Sequence, residues 1–416
     1  MKILVVSQYF WPEYFRINEL CECLRNIGHE IDVITGIPNY PQGKYYPGYG
    51  IFKNKKQNYK GINVYRVPII PRRQDGGDKR LIPNYLSYAI TASIKIAFKI
   101  FHKYDAVLVY EVSPITQVYP ALLFRWLTKT PVCLYVLDLW PETLFSHGFC
   151  KKSTVKKIMY SFIHSIYKRC DKIFISSKGF EKSILSSGYN SERIHYVPNW
   201  SEDFYKPVDN HKTDLREELN LDESCFVIMY AGNIGFAQSF ETVLEASKIL
   251  KENKDIHFVI IGEGSLKQWA IDETIKNGQS NISFIGRKPA EEMPEYFAQA
   301  NAMLVTLKKR ENYSLTLPSR VQSYLACGKP LLGCAGDEVS RVINESGAGL
   351  SCEPEDAKSL AAMIDQMKQM QPEEIMGMSI NAITYSQKEF CKDKLLNGIN
   401  SLLVEMAETR TRKRVI

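Results

Sequence analysis

The sequence predicts an α/β protein made of two doubly wound parallel sheets. Short apolar runs alternate with helical apolar patterns along most of the chain, which is the element order of such sheets. The chain has 416 residues, too many for one compact core. Residues 198–207 (PNWSEDFYKP) contain two prolines and no periodicity, and the net charge changes sign there, so we place the domain boundary in this segment. The predicted domains are residues 1–198 and 208–375, followed by closing helices and a basic tail in residues 376–416.

The first domain is predicted to open with a strand, a loop, a helix and a second strand. The strands are residues 2–6 and 31–35, and a helical apolar pattern between them covers residues 18–26. Further buried strands are predicted at residues 106–110, 132–137, 172–176 and 194–197. The loop after the first strand lacks a G-x-G-x-x-G pattern, which argues against a dinucleotide there. Ligands of such sheets bind beyond the carboxyl ends of the strands, so the loops at these ends are the candidate sites.

Three loops of the first domain carry candidate binding residues. Residues 9–13 (YFWPE) follow the first strand. Residues 36–49 form a loop dense in Pro, Gly and Tyr, which suits a sugar or a lipid headgroup or is simply a turn-rich loop. Asp138 and Glu142 follow the strand at 132–137. Two carboxylates at this place are typical of ligands to substrate hydroxyls or of a general base, although a helix cap and a first-turn acid give the same pattern.

The positive charge of the chain lies in its first half. Residues 1–200 contain 28 Lys and Arg against 14 Asp and Glu, a net charge of +14, whereas the remainder carries −7. This excess favours an anionic partner, either nucleic acid or the cytoplasmic leaflet of a membrane, although a solvated basic face is also consistent.

Residues 81–102 combine apolar positions at three and four spacing with two lysines, Lys95 and Lys99. They are flanked by Arg72, Arg73, Lys79, Arg80 and Lys103. The pattern predicts a basic amphipathic helix on an anionic membrane surface or, alternatively, a helix that faces the core of the first domain.

Composition argues against several classes of protein. The ten cysteines are scattered without a CxxC pair, which indicates reduced buried thiols in a cytosolic protein rather than a disulfide framework or a zinc site. The apolar run at residues 1–6 is too short for a signal peptide, and residues 81–94 are too short for a membrane-spanning helix. We therefore expect a soluble or surface-bound protein.

The second domain is organised around residues 315–330 (LTLPSRVQSYLACGKP). An extended approach ends at Pro318, Ser319 and Arg320 follow, and a short apolar helix stops at Gly328. Free first-turn amides, the helix dipole and a guanidinium together favour phosphate, so we predict a diphosphate cradle; an ordinary loop-to-helix junction has the same residues. Strands at 226–231, 257–261, 282–285 and 303–306 predict the second sheet. Its other ligand loops contain Gly232, Asn233, Gly235, Gly262, Gly286 and Arg287.

Several segments together resemble bacterial glycosyltransferase family 4, specifically its WbuB-like O-antigen and capsule branch. They are FWPE, GHEIDVIT, PNYPQGKYYPGY, DLWPE, PNW, YAGNIGFAQ, FIGR and PSRVQSYLACGKP, and they extend over essentially the whole chain. The resemblance implies a GT-B fold, with two facing Rossmann-like domains and an interdomain cleft. It implies that the second domain binds the nucleotide sugar and the first binds the acceptor. It also implies retention of anomeric configuration, no divalent metal, and an acceptor carried on undecaprenyl diphosphate.

The resemblance and the local chemistry together assign roles to the candidate residues. Asp138 is assigned to orient or deprotonate the attacking hydroxyl, and Arg320 to stabilise the leaving diphosphate. The donor diphosphate is assigned to Gly232, Asn233, Gly235, Ser319 and Arg320, and the nucleotide to Gly262, Gly286 and Arg287. Donor-sugar or ribose contacts are assigned to Thr316 and Gln322, and acceptor contacts to Tyr9, Glu13, Asn39, Tyr40 and Glu142. No metal is predicted, since the sequence has no Asp-x-Asp.

The sequence departs from the wider family at two sets of positions. The paired glutamates of that family match Leu315 and Ser323, and its usual Arg and Lys are replaced by Asn233 and Gln238.

We predict a retaining glycosyltransferase that moves a sugar from a UDP-sugar to a lipid-diphosphate-linked saccharide in O-antigen or capsule biosynthesis. The WbuB-like branch suggests an N-acetylated deoxy sugar such as N-acetylfucosamine. The predicted location is cytoplasmic and peripheral, at the inner face of the cytoplasmic membrane, with no cofactor and no nucleic acid. Two alternatives stay open: a GT-B nucleotide-sugar 2-epimerase, and a non-catalytic nucleic-acid-binding protein, for which the sequence has no recognised motif.

Overall fold

The computed structural model describes residues 1–71, 81–146, 152–209 and 214–415, which form two compact units. The first unit comprises Met1–Ser176, Phe180–Val197 and the chain from Asp393 onward; the second comprises Pro198–Lys392 with Ser177–Gly179. The predicted closing segment, residues 376–416, is therefore divided between the units. Its last helix packs with the first unit, where the Arg410 guanidinium donates to the carbonyls of Tyr104 and Thr128, both at 2.9 Å.

The first unit contains an eight-stranded sheet in the order β3-β4-β2-β1-β5-β6-β7-β8, parallel except for β3. Its strands are β1 (Lys2–Val6), β2 (Glu30–Gly36), β3 (Lys56–Tyr59), β4 (Ile62–Val67), β5 (Ala106–Glu111), β6 (Val132–Val136), β7 (Lys172–Ile175) and β8 (Ile194–Tyr196). Its helices are α1 (Arg16–Asn26), α2 (Leu81–Ala97), α3 (Tyr119–Thr128), α4 (Glu142–Ser146), α5 (Ser153–Tyr167) and α6 (Phe180–Ser186).

The second unit contains a six-stranded, all-parallel sheet in the order β11-β10-β9-β12-β13-β14. Its strands are β9 (Phe226–Ala231), β10 (Ile256–Ile261), β11 (Ile282–Gly286), β12 (Ala302–Thr306), β13 (Leu331–Cys334) and β14 (Gly349–Cys352). The helices begin with α7 (Leu215–Glu218), α8 (Phe240–Ile249), α9 (Lys267–Lys276), α10 (Met293–Ala298), α11 (Glu311–Ser314) and α12 (Ser319–Ala326). They end with α13 (Asp337–Ser346), α14 (Ala357–Lys368) and α15 (Pro372–Glu389), whereas α16 (Lys392–Val415) belongs to the first unit from Asp393 onward.

The central strands of both sheets are buried along their whole length, as the apolar runs predicted. Strands β5, β6, β9 and β10 have no exposed residue, because helices cover both faces of a parallel sheet. The sequence prediction missed β3, β4 and β14, which lie towards the sheet edges. β3 and β14 are only partly buried, and the sequence of β3, KQNY, has no apolar alternation. A strand that lacks a buried face gives little periodic signal.

Helix α2 packs against the core of the first unit, as one of the predicted alternatives has it, and its outer face stays exposed. Tyr88 and Ala92 are buried against the unit, whereas the outer side chains Leu86, Ile90 and Ile94 are 48%, 59% and 58% exposed. The helix therefore faces the core on one side and presents an apolar stripe on the other.

Lys99, which follows α2, was predicted to be a surface cation, but the structure shows that it is buried. It is 5% exposed and its Nζ lies 3.2 Å from Asp32, which also accepts a hydrogen bond from the Tyr104 hydroxyl. Buried lysines of this kind are paired, so Lys99 fixes the end of α2 to the sheet instead of facing a membrane. The predicted flanking cations Arg72, Arg73, Lys79 and Arg80 lie outside the described residues. No helix in the described part of the chain is long and apolar enough to cross a membrane.

Candidate active site

Glycine loops at the carboxyl ends of β9, β10 and β11 lie against one another. The N–H of Gly232 donates to the carbonyl of Ile261, and the N–H of Gly262 donates to that of Gly286, both at 2.9 Å. Gly232 and Gly262 have φ angles of +145° and +155°, which L side chains rarely adopt. A Cβ on Gly262 would lie 1.8 Å from the Gly232 carbonyl oxygen. Only glycine allows the backbones to approach this closely.

The Arg320 side chain reaches this loop cluster from α12. Its guanidinium lies over the Tyr230 ring at 4.7 Å, and a Cβ on Gly232 would be 3.3 Å from its Cζ. Its Nη1 is buried and has no hydrogen-bond partner among the described residues. A buried cationic N–H without an acceptor is costly, and an anionic ligand at Gly232 would satisfy it.

Helix α12 begins at Ser319, directly before Arg320. Pro318 caps it without a side-chain hydrogen bond, Ser319 is exposed, and the helix ends before Gly328, whose φ is +67°. The Tyr324 hydroxyl fixes the helix to the end of β9, since it accepts from the N–H of Ala231 and donates to its carbonyl, both at 2.9 Å. The predicted cradle thus consists of an uncapped helix start held beside the glycine loops.

The remaining predicted nucleotide-side residues lie on the same loops. Asn233 is exposed and its side chain donates to Gln238 at 3.3 Å, while its carbonyl accepts from the Tyr230 hydroxyl at 2.6 Å. Gly235 follows in an extended conformation, and a Cβ there would lie 2.6 Å from the Asn233 amide nitrogen. Arg287 is exposed beside Gly286.

The predicted sugar or ribose contact of Gln322 does not fit the structure. Gln322 is 1% exposed, and its side-chain amide donates to the carbonyls of Pro318 at 3.0 Å and Ser319 at 2.8 Å. The Thr316 hydroxyl donates to the Asn312 carbonyl at 2.7 Å. The Gln322 side chain folds back on the first turn of its own helix, so it is not available to a ligand.

A cavity of about 330 Å³ opens at the carboxyl ends of β12 and β13. Lys308, Arg310 and Ser314 line one part of it, and Gly336 and Asp337 at the start of α13 line another. The N-cap residue Gly336 has no side chain to cap this helix start, and the Asp337 N–H donates instead to the Ser314 hydroxyl at 2.9 Å. The sequence prediction did not include these residues. The three consecutive cations at residues 308–310, which follow a predicted strand, could have indicated a binding site here.

In the first unit, the structure brings together Glu13, Asn39, Tyr40 and Tyr9. One oxygen of Glu13, Oε1, accepts from the N–H groups of both Asn39 and Tyr40 at 2.7 Å. The Tyr40 ring lies 5.5 Å from that of Tyr9 and is 44% exposed, whereas Tyr9 and Asn39 are buried. Burial, partly offset by the two amides, raises the pKa of Glu13 to about 7. Tyr40 is therefore the member of this group whose ring an acceptor can reach.

Asp138 lies in a hydrogen-bonded group just beyond β6. The Ser113 hydroxyl donates to its Oδ2 at 2.7 Å, and the Trp140 indole N–H donates to the Ser113 hydroxyl at 3.1 Å. Ser113 has a φ of +77°, an uncommon conformation for a non-glycine residue. The sequence prediction missed Ser113 and the buried Glu111 before it. The position of Glu111, an acid at the end of a predicted strand, could have marked it as a candidate site residue.

The structure contradicts the predicted role of Glu142 as an acceptor contact. It is 5% exposed, lies in the first turn of α4, and accepts from the Ser183 hydroxyl at 2.6 Å and the Tyr160 hydroxyl at 3.4 Å. These partners belong to α6 and α5, so Glu142 links three helices. The structure therefore supports the other predicted alternative, in which Glu142 is an acid in the first turn of a helix.

Two family models match the chain. The model described as Glycosyl transferase 4-like domain matches residues 15–200, and the model described as Glycosyl transferases group 1 matches residues 211–384. Together they span most of both units. The chain belongs to glycosyltransferase family 4. This confirms the predicted family and the predicted enzyme class.

The glycosyltransferase is similar to proteins of known name and fold. It is 27% identical to WcaI of Escherichia coli K12, a glycosyl transferase assigned to colanic acid biosynthesis, over 88% of this chain and 92% of WcaI. It is 26% identical to the glycosyltransferase WbjE of Pseudomonas aeruginosa, over 68% of this chain and 70% of WbjE. The crystal structure of Anabaena HepE in complex with UDP matches it with a TM-score of 0.73 at 14% identity, covering 97% of this chain and 100% of HepE. The likeness confirms the predicted GT-B fold.

Proposed function

We propose that this glycosyltransferase moves a sugar from a UDP-sugar to a saccharide carried on a lipid diphosphate, with retention of configuration, in the synthesis of a surface polysaccharide. The observation that carries the proposal is the Arg320 guanidinium, whose Nη1 is buried without an acceptor beside the Gly232 loop. The names of the relatives support the pathway, since WcaI is assigned to colanic acid biosynthesis. The UDP bound by HepE, which has the same fold, supports the donor class.

Arg320 and the start of α12 bind the donor diphosphate in this proposal. Negative charge develops on the leaving diphosphate in the transition state, and fixed donors stabilise it without reorganisation. Arg320 supplies a planar fork that matches phosphate oxygens, and Ser319 supplies the uncapped helix start. No metal is needed for this role.

The cavity beside Lys308, Arg310 and Ser314 offers room for the donor sugar. It lies at the carboxyl edge of the same sheet as the Arg320 site, where ligands of doubly wound sheets bind. It replaces Gln322 as the candidate sugar contact. The transferred sugar we propose is an N-acetylated deoxy sugar such as N-acetylfucosamine.

Asp138 acts on the acceptor. Its carboxylate accepts the proton of the attacking hydroxyl, which approaches the anomeric carbon on the same face that the diphosphate leaves, so that the new bond replaces the broken bond to the diphosphate oxygen with retention of configuration. UDP leaves with the electron pair of the broken bond. Tyr40 offers an exposed ring for a sugar of the acceptor, with Glu13 holding its loop.

The apolar stripe of α2 holds the enzyme at the cytoplasmic leaflet in this proposal. Ile90 and Ile94 project outward, and Ile94 also lines a groove of about 370 Å³ with Ile51, Lys55 and Lys95. Apolar side chains surrounded by lysines bind anionic lipid surfaces through both burial and charge. The lipid part of the acceptor would lie in that surface.

The test is a transfer assay with the purified chain. Nucleotide sugars are first screened for thermal stabilisation, because a true donor at concentration L stabilises the folded chain by RT ln(1 + L/Kd), which rises with the logarithm of its concentration. The stabilising donor is then incubated with and without a polyprenyl-diphosphate-linked saccharide. We expect release of UDP and a product one sugar longer only when acceptor is present. Conversion of the nucleotide sugar without acceptor would instead indicate an epimerase and would refute the proposal.

A further inference from the structure

Hydrogen bonding at Ser113 fixes the direction in which its proton points. The Trp140 indole N–H can only donate, so the Ser113 oxygen is the acceptor of that bond. The single hydroxyl proton of Ser113 is then free to donate to Asp138 Oδ2 at 2.7 Å. Ser113 therefore favours the ionised form of Asp138, because a hydrogen bond to a carboxylate stabilises its charge.

Glu111 lies beneath this group, at the carboxyl end of β5. It is 0% exposed, its Oε1 accepts from the N–H of Ser113 at 3.2 Å, and its Oε2 has no hydrogen-bond partner in the part of the chain that the structure describes. A charged carboxylate without a cation is costly to bury, and such groups become neutral instead.

Glu111 meets one further carboxylate, one tyrosine and the backbone amides of Leu137 and Asp138. Glu111 is approached by Asp138 from the loop after β6 and by Tyr167 from α5. Asp138 in turn faces Tyr110, next to which the Arg16 guanidinium lies. Burial raises the pKa of Glu111 well above its ordinary range and the charge of Asp138 raises it further, which together outweigh the lowering by the backbone amides of Asp138 and Leu137.

We infer that Glu111 stays protonated while the enzyme works, and that Ser113 holds the Asp138 carboxylate, so both are positioning residues for the base that receives the acceptor proton. The inference rests on the function proposed for Asp138. A protonated Glu111 leaves one negative charge in the group, on the residue that meets the acceptor. Ser113 keeps that carboxylate in one orientation by its bond to Oδ2.

Removal of the Ser113 hydroxyl tests the positioning role. In Ser113→Ala, the acid limb of the pH profile of kcat/KM for the acceptor is expected to move up by about one pH unit, because Asp138 loses a bond to its charged form. The KM for the donor should not change. Ser183→Ala is the matched control, since Ser183 also donates to a buried carboxylate, Glu142 at 2.6 Å. An unmoved acid limb in Ser113→Ala, or the same shift in both variants, would overturn the role of Ser113.

Infrared spectroscopy tests the proton on Glu111 without any substrate. At pH 8, above the pKa of Glu13, we expect the difference spectrum between wild type and Glu111→Gln to show the carbonyl band of one protonated carboxyl group. Glu142→Gln should leave that band in place. Absence of the band from the wild type, or its survival in Glu111→Gln, would overturn the inference. If the wild-type chain shows the band but transfers no sugar, the proposed function is refuted, whereas the inference that Glu111 is protonated stands.

Discussion

Replacement of Arg320 by alanine separates catalysis from stability. The guanidinium is expected to stabilise the leaving diphosphate, and the loss of one such donor typically costs about 3–4 kcal/mol of transition-state stabilisation. Each 1.36 kcal/mol corresponds to about a tenfold change in rate, so kcat should fall by about 10²- to 10³-fold. Binding of the acceptor, which we propose to lie on the first unit, should change little.

The stability of the second unit should fall little in the same variant, because two effects of Arg320 oppose each other. The stacking of its guanidinium over Tyr230 at 4.7 Å contributes about 0.5–2 kcal/mol. Its buried, unpartnered Nη1 costs about 1–3 kcal/mol. On removal of the side chain the net change therefore lies between a loss of about 1 kcal/mol and a gain of about 2.5 kcal/mol, so the free energy of unfolding should fall by no more than about 1 kcal/mol.

Two measurements test these predictions. The first is kcat at saturating donor and acceptor, and the second is the free energy of unfolding of the same preparations, obtained by urea unfolding. Arg216→Ala is the control, because Arg216 lies in the same unit and donates to the carbonyls of Asp222 at 2.8 Å and Cys225 at 3.0 Å. It should lose stability and keep its kcat. An unchanged kcat in Arg320→Ala would refute the diphosphate role. A large loss of stability with a normal kcat would show that Arg320 only holds the fold.

Three further predictions follow from the structure. Because the pKa of Glu13 is raised to about 7 in the folded state, the folded chain binds more protons than the unfolded chain between pH 4.5 and 7. The free energy of unfolding should therefore fall with rising pH, by up to about 1.4 kcal/mol per pH unit, and urea unfolding of Glu13→Gln should lack this slope while keeping the amide contacts. Gly262→Ala should fail to fold, as judged by circular dichroism, because its Cβ would meet a backbone oxygen at 1.8 Å. Ile90→Ser combined with Ile94→Ser should abolish cosedimentation with anionic vesicles without loss of stability, since both side chains are more than half exposed.

Matched controls accompany these variants. Gly278→Ala tests a glycine that also has a positive φ, +60°, but whose Cβ would meet nothing within 4 Å, and it should still fold. Met376→Ser with Ile380→Ser removes apolar side chains that are 65% and 58% exposed on the second unit, and vesicle binding should persist. Loss of binding in both double variants would contradict a specific lipid-facing role for α2.

Local spacing alone predicted much of the candidate site. Pro318 followed by Ser319 and Arg320 marked a helix start, and the glycines after β9 and β10 marked close backbone approach. These signals are reliable because helix caps and positive φ angles depend on a few consecutive residues. The sequence of α2 also carried two apolar faces, although it could not show that one of them would remain exposed.

The partners of each side chain were decided only by the tertiary structure. Arg320 stacks on Tyr230 from ninety residues away, and Ser113 meets Asp138 across two strands. Gln322 and Glu142 have polar side chains at plausible positions, yet the fold turns both inward to partners that satisfy them. Sequence determines which residues end a strand or begin a helix, because those preferences are local. It does not determine which distant groups become buried together, and burial is what selects the residues left free for chemistry.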